Sequence, residues 1–88
     1  MHETQFADAK LAEQIKAYLE QTPMRLTVEE LTEVFHYSRN YLSKIFLAHA
    51  NRTIKDYNRK ICMKEAKRLL QETDLSVSAV AERVGYMS

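Results

Sequence analysis

Glycine, proline and cysteine each occur only once in this 88-residue chain. A single Gly and a single Pro leave little material for turns, so loops must be few and short. The remaining composition is dominated by Ala, Leu, Glu, Lys, Gln and Arg, the good helix formers, and argues for an all-helical chain. Cys62 has no partner within the chain. A disulfide framework is excluded, which fits a reducing compartment. No apolar run approaches the roughly 20 residues that a membrane span needs, and the N-terminus lacks a signal-peptide core. The expectation is a soluble, cytoplasmic protein without a membrane contact. Catalytic patterns are missing as well. There is no nucleophile with a base in reach, no glycine loop to cradle phosphate and no pair of carboxylates beyond what helix capping explains, so the pattern argues against an enzyme. His36 and His49 stand 13 residues apart without a Cys/His cluster of zinc-ligand spacing. Neither a metal nor a cofactor is expected.

What is present is an uneven distribution of charge. The net charge is only +1, but residues 1–36 carry 3 basic and 7 acidic side chains, residues 37–68 carry 9 basic and 2 acidic, and residues 69–88 carry 1 basic and 3 acidic. A basic centre between acidic ends suits a polyanion, because phosphate contacts and counterion release supply most non-specific affinity for nucleic acid. A solvated lysine-rich helix would give the same pattern, and charge alone does not separate the two.

Periodicity divides the chain into five helices. Leu11, Ile15, Tyr18 and Leu19 form one apolar face of a helix over about 4–21, which Thr22-Pro23 ends. Thr27-Val28-Glu29-Glu30 reads as a capping box, followed by a stripe of Val28, Leu31 and Phe35 that should end near His36. Ser38 is a candidate N-cap for a third helix with Leu42, Ile45 and Phe46 inward, ending near Ala50-Asn51. Thr53 caps a long fourth helix to about Glu72, whose buried stripe is expected to be Ile54, Tyr57, Ile61, Ala66, Leu69 and Leu70. Ser76 caps a fifth, with Val77, Val80, Ala81 and Val84 apolar and Gly85 at its end.

Two short helices with a tight turn, the second polar and basic at its start, make a helix-turn-helix pattern. The major groove admits one α-helix, and the residues that read bases lie at its N-terminal end. Arg39, Asn40, Ser43 and Lys44 fall on the outward faces there. Asn can pair with adenine, Lys with guanine and Ser with either. The pattern alone is weakly specific, because helical hairpins are common in proteins that bind no DNA.

The order of motifs over the whole chain is more specific. Leu26-Thr27-Val28-Glu29-Glu30-Leu31, Tyr37 to Phe46 (YSRNYLSKIF), Thr53-Ile54-Lys55-Asp56-Tyr57, Ala66-Lys67-Arg68-Leu69-Leu70 and Val80-Ala81-Glu82-Arg83-Val84-Gly85-Tyr86 follow one another as in the C-terminal DNA-binding domain of the AraC/XylS family of bacterial regulators, which the chain resembles from about Leu26 to Ser88. The resemblance implies an all-α, homeodomain-like helix-turn-helix fold of about five helices with a long linker helix. It implies a single domain over 1–88, with a first helix at 4–21, a first helix-turn-helix at 26–50, a linker helix at 53–72 and the start of a second helix-turn-helix at 76–88. Carried over by position, Asn40, Ser43 and Lys44 take the base-reading places, and Ser38 and Arg39 are candidates for phosphate contacts. Double-stranded promoter DNA is the implied partner, with activation as the usual role. RNA polymerase is a further partner implied for a full-length regulator.

Four departures from the family pattern matter. Asn51 stands where Gly is usual, and both suit a left-handed helix end. Thr32 replaces a usual Ala at a tight helix crossing, a modest packing cost. Cys62 takes a position that is usually basic, so a charge role there is lost; as a residue it reads as a small, semi-buried hydrophobe. Finally, Ser88 should cap the second recognition helix, so the second reading head is expected to be absent. The fifth helix should then lack its packing partner, leaving Val77, Val80 and Val84 partly exposed, to fray or to bury that face against another molecule, including a second copy of the chain. The competing hypothesis is a helical protein-interaction module in which Leu47, Val34 and that helix meet a partner.

Overall fold

Every helix after the first opens on a side-chain hydroxyl. In the computed structural model, which describes residues 2–86 and side chains from Ala7 onward, the helices are α1 (His2–Gln21), α2 (Val28–Phe35), α3 (Arg39–Ala50), α4 (Ile54–Glu72) and α5 (Val77–Arg83). Thr27, Ser38, Thr53 and Ser76 sit in extended backbone just before α2 to α5, and each hydroxyl accepts a hydrogen bond from an amide in the first turn, at 3.2, 3.2, 3.1 and 3.1 Å. Such caps satisfy amides that the helix itself cannot, and removing one typically costs about 0.5–2 kcal/mol. At α2 the box is complete, with Glu30 accepting from the Thr27 amide at 3.3 Å. The Ser88 cap expected from the family pattern lies outside the described residues.

The helix ends are equally local. His36 and Asn51 follow α2 and α3 in the left-handed conformation, with φ of 60° and 58°. Neither is glycine, but Asn and His tolerate this region better than most residues. The turn between α2 and α3 is therefore only His36, Tyr37 and Ser38. The fold is all-α and homeodomain-like, as the resemblance implied.

Burial splits into two clusters strung along α4. The first joins Leu11, Ala12, Ile15 and Leu19 of α1, Leu31 of α2, Leu42, Ile45 and Phe46 of α3, and Ile54 at the start of α4. Phe46 is fully enclosed and meets the Tyr57 ring edge-on at 5.5 Å. Truncating such a phenylalanine to alanine typically costs about 3–5 kcal/mol, since it removes transfer energy and leaves a cavity. The second cluster is smaller: Cys62 and Leu69 of α4 with Val80 and, just past α5, Val84. The molecule is correspondingly long, 51 × 21 × 17 Å.

Three expectations are corrected here. Val80 and Val84 are each only 3% exposed, covered by Cys62, Leu69, Ala66 and Leu75, while Val77 alone is 72% exposed. The fifth helix thus finds its packing partner within the chain, on the far half of α4. Cys62 is fully buried rather than half-buried, so its position faces inward and has no place for a cation. Leu70, expected in the stripe, is 47% exposed. It lies about 100° around the helix from Leu69, which takes the inward place. The inward places of α4 are Ile54, Asn58, Cys62 and Leu69.

Candidate nucleic-acid interface

The recognition candidate is α3, and its two faces are sharply distinct. Leu42, Ile45 and Phe46 are buried against α1, α2 and α4, which fixes the helix along most of its length. Asn40, Ser43, Lys44 and Leu47 are exposed. Their spacing of i, i+3, i+4 and i+7 makes them one outward stripe. Asn40, Ser43 and Lys44, chosen from the sequence, are therefore neighbours on a single exposed face, and the stripe also includes Leu47, half-exposed and apolar.

The two phosphate candidates have partners within the protein. The Ser38 hydroxyl accepts from the Tyr41 amide at 3.2 Å and keeps its own proton for another acceptor. Arg39 Nη1 donates to Glu29 Oε2 at 2.8 Å, an ion pair between α3 and α2. Both side chains are about two-thirds exposed, at 67% and 63%, so water screens the pair and it contributes little to stability. Behind the helix start, Tyr37 stacks on Tyr41 at 5.1 Å, and the Tyr41 hydroxyl donates to Asp8 at 2.6 Å. That bond to Asp8 holds the Tyr41 phenol above its usual range, and ties the first turn of α3 to α1.

One polar residue that the sequence reading passed over organises the rest. Asn58 is 2% exposed. Its Oδ1 accepts from the Leu26 amide at 3.0 Å and its Nδ2 donates to the Met24 carbonyl at 2.9 Å. Between those two bonds, the Arg25 amide donates to the Val84 carbonyl at 2.8 Å, and the Arg25 guanidinium lies 5.6 Å from the Tyr86 ring centre. The extended segment Met24-Arg25-Leu26 is thus clasped by α4 on one side and by the end of α5 on the other. Gly85, at φ +82°, makes room for this, since a Cβ there would stand 3.2 Å from the Arg25 Cβ. The signal was present in the sequence: Asn58 falls midway between Ile54 and Cys62, at i+4 and i+8, in phase with the buried stripe.

The outer cations of α4 differ in their freedom. Arg68 is bridged to Glu65 at 2.8 Å and to Glu72 at 3.3 Å. The Glu65 carboxyl is held below its usual range by the hydrogen bond from Arg68. No ion pair involves Lys55 or Arg59 among the described residues. Among the described residues no group of three or more His, Cys, Asp or Glu is placed to hold a metal, and no helix is long and apolar enough to cross a membrane.

Comparison with known proteins agrees with this arrangement. The sequence pattern of a family described as a helix-turn-helix domain matches residues 31–88. The HTH-type transcriptional regulator YpdC of Escherichia coli is 36% identical over 61 residues, 69% of this chain and 21% of its own. The HTH-type transcriptional regulator YobQ of Bacillus subtilis is 31% identical over 64 residues, 73% of this chain and 27% of its own. The Msm operon regulatory protein of Streptococcus mutans is 34% identical over 61 residues, 69% of this chain and 22% of its own. The chain thus spans about a quarter of the length of these curated relatives, and no solved structure matches it. With most of α2, the three-residue turn and all of α3 inside the matched region, the chain belongs to the helix-turn-helix family of DNA-binding domains of AraC type that occurs in transcriptional regulators.

Proposed function

We propose that this chain is a sequence-reading DNA-binding domain of a bacterial transcription regulator, a binding module rather than an enzyme, and that α3 enters the major groove. The observation that carries the reading is the outward stripe of α3. A helix locked by three buried side chains presents Asn40, Ser43 and Lys44 together on its first turns, where a groove-bound helix meets base edges. Asn40 suits adenine and Lys44 guanine, Ser43 is tolerant, and Leu47 at the end of the stripe suits a thymine methyl group. Ser38 and Arg39 would meet the flanking backbone, since phosphate contacts set position while base contacts set sequence.

The length of α4 supports a single domain over 1–88 with one reading head at 26–50 and the start of a second helix-turn-helix at 76–88. Its 19 residues span about 28 Å, close to the roughly 34 Å between successive major grooves on one side of the duplex. The α5 segment would then open a second reading unit. In the whole regulator, promoter DNA sets the place of work in the cytoplasm, with RNA polymerase as a neighbour on the same DNA. Self-association through α5 would have Val77 as its one large exposed apolar residue on that helix. The protein-interaction alternative rested on Leu47, Val34 and an orphaned fifth helix; Leu47 and Val34 are exposed, but the burial of Val80 and Val84 removes the part that rested on the helix.

Duplexes selected from a randomised pool, titrated by fluorescence anisotropy at two or more salt concentrations, test the reading. Steep salt dependence and a reproducible sequence preference are expected. Asn40→Ala and Lys44→Ala should each relax preference at one position by about 1–3 kcal/mol. Unchanged preference in both variants would defeat the assignment.

A further inference from the structure

A groove of about 460 Å³ lies between the start of α2, the start of α3 and one face of α4, and Arg25, Arg39, Lys55 and Arg59 line it with a single carboxylate, Glu29. The contrast with the larger groove on the other side of α4 is informative. There Lys60, Lys64, Lys67 and Arg68 face Glu20, Glu65 and Glu72, and Arg68 is already bridged twice, so charge is nearly balanced within the protein. By ion pairing the grooves are alike, with Arg25, Lys55 and Arg59 unpaired in the smaller and Lys60, Lys64 and Lys67 in the larger among the described residues, but the smaller has one carboxylate in its lining where the larger has three. Lys55 and Arg59 are one turn apart on α4 and so share a face. Arg25 is held by its main-chain bond to Val84 and by the Tyr86 ring. Like charges gathered in one concavity repel, and an anion with several acceptor oxygens would relieve that repulsion.

Resting on the DNA-binding reading above, we propose that this groove seats one phosphate of the DNA backbone, on Lys55 and Arg59, and that Glu29 competes with that phosphate for Arg39. Arg39 is the first residue of α3, so a phosphate in the groove lies at the end of the helix that also presents Asn40. The Glu29–Arg39 pair closes the rim in the free protein at 2.8 Å, but its exposure leaves it weak enough to exchange. Arrival of the phosphate swaps one anionic partner of Arg39 for another and leaves the Glu29 carboxylate to solvent. Glu29 therefore acts as an internal rival that lowers affinity for every sequence alike and leaves discrimination among sequences to the α3 stripe.

The test uses the 88-residue chain with one preferred and one scrambled duplex, by anisotropy across a salt series, with circular dichroism to establish that each variant is folded. Each backbone phosphate neutralised contributes roughly 0.9 to the slope of log affinity against log salt. K55Q/R59Q should lose about one unit of that slope on both duplexes while keeping the preference between them. K64Q/K67Q removes the same charge from the opposite groove and should leave the slope as in the wild type. E29Q, which leaves the Thr27–Glu30 box intact, should bind both duplexes several-fold more tightly at low salt. Equal slopes for K55Q/R59Q and K64Q/K67Q would overturn the phosphate seat, and E29Q binding no tighter than wild type would overturn the competition. If the wild-type chain shows neither salt dependence nor preference, the DNA-binding reading itself falls, and the proposal with it.

Discussion

Asn58→Leu is the sharpest probe of how this molecule is held together. Leucine has the same number and branching of side-chain heavy atoms as asparagine and suits a helix, so the substitution keeps the outline of the side chain, although its methyl groups are bulkier than the amide and add some crowding. It removes the acceptor for the Leu26 amide and the donor for the Met24 carbonyl, bonds of 3.0 and 2.9 Å made by a side chain only 2% exposed. Replacing both partners of a buried hydrogen bond by apolar groups can be neutral, but here the partners are main-chain groups and stay polar. Two backbone groups are left without partners, and each such group typically costs about 1–3 kcal/mol. Both bonds are only part-buried, so water can relieve some of that cost, and a total of about 2–4 kcal/mol is expected. For a domain of this size each kcal/mol lowers the melting temperature by roughly 4–8 °C, so the variant should melt at least about 10 °C below the wild type. Urea and thermal denaturation followed by far-UV circular dichroism give the comparison, and amide exchange at Arg25 and Leu26 should accelerate well beyond that of α3. A variant within about 0.5 kcal/mol of wild type, with exchange at those two amides unchanged, would refute the clasp.

Three further outcomes are expected. Burial and the hydrogen bond to Glu20 hold the Tyr57 phenol at about 12 against an ordinary 10.0. The protonated form is the one favoured in the fold, so its contribution to stability is complete below pH 10 and lost between 10 and about 12. Tyr57→Phe should flatten the decline in stability over that window, and an identical decline would contradict the assignment. Gly85→Ala places a Cβ 3.2 Å from the Arg25 Cβ at a φ of +82°. It should cost about 1–2 kcal/mol in chemical denaturation, mostly from the left-handed backbone. His36→Gly relieves a side chain in that same conformation at φ 60°; a gain of about 0.5–1 kcal/mol is expected in the same assay, with α3 and its stripe unmoved.

The parts of this structure that were legible in the sequence are those whose causes are local. A hydroxyl three residues before the amide it caps, or an asparagine at a left-handed helix end, is decided within one turn of chain, and Thr27, Ser38, Thr53, Ser76 and Asn51 all stand where their neighbours imply. The inner face of α3 was legible too, because Leu42, Ile45 and Phe46 repeat with the helical period. The errors came where a residue's fate depends on distant chain. Asn58 takes its partners from 32 and 34 positions away, and nothing beside it announces them. Val80 and Val84 were expected to lack cover because the second recognition helix was expected to be absent; Cys62 and Leu69, 11 or more positions earlier in the chain, cover them instead. Leu69 and Leu70 were both placed in the buried stripe, but they lie about 100° apart around the helix and only Leu69 is buried. The Glu29–Arg39 bridge also joins separate helices, and Glu29 reads from the sequence only as a favourable first-turn acid.

The division of burial along α4 also sets the order in which the molecule comes apart. The second cluster holds four buried side chains and the first holds nine, while one uninterrupted helix runs through both. At roughly 1.5–3 kcal/mol per enclosed aliphatic side chain, the smaller cluster cannot offset the entropy of ordering its own residues, and it stands because α4 is already nucleated by the larger one. Partial unfolding should therefore begin at residues 73–86 and stop near Cys62, with residues beyond that point exchanging their amides through a low-energy opening and α3 only through complete unfolding. The proposed recognition helix α3 is thus expected to be the last element to melt, and residues 73–86 the first.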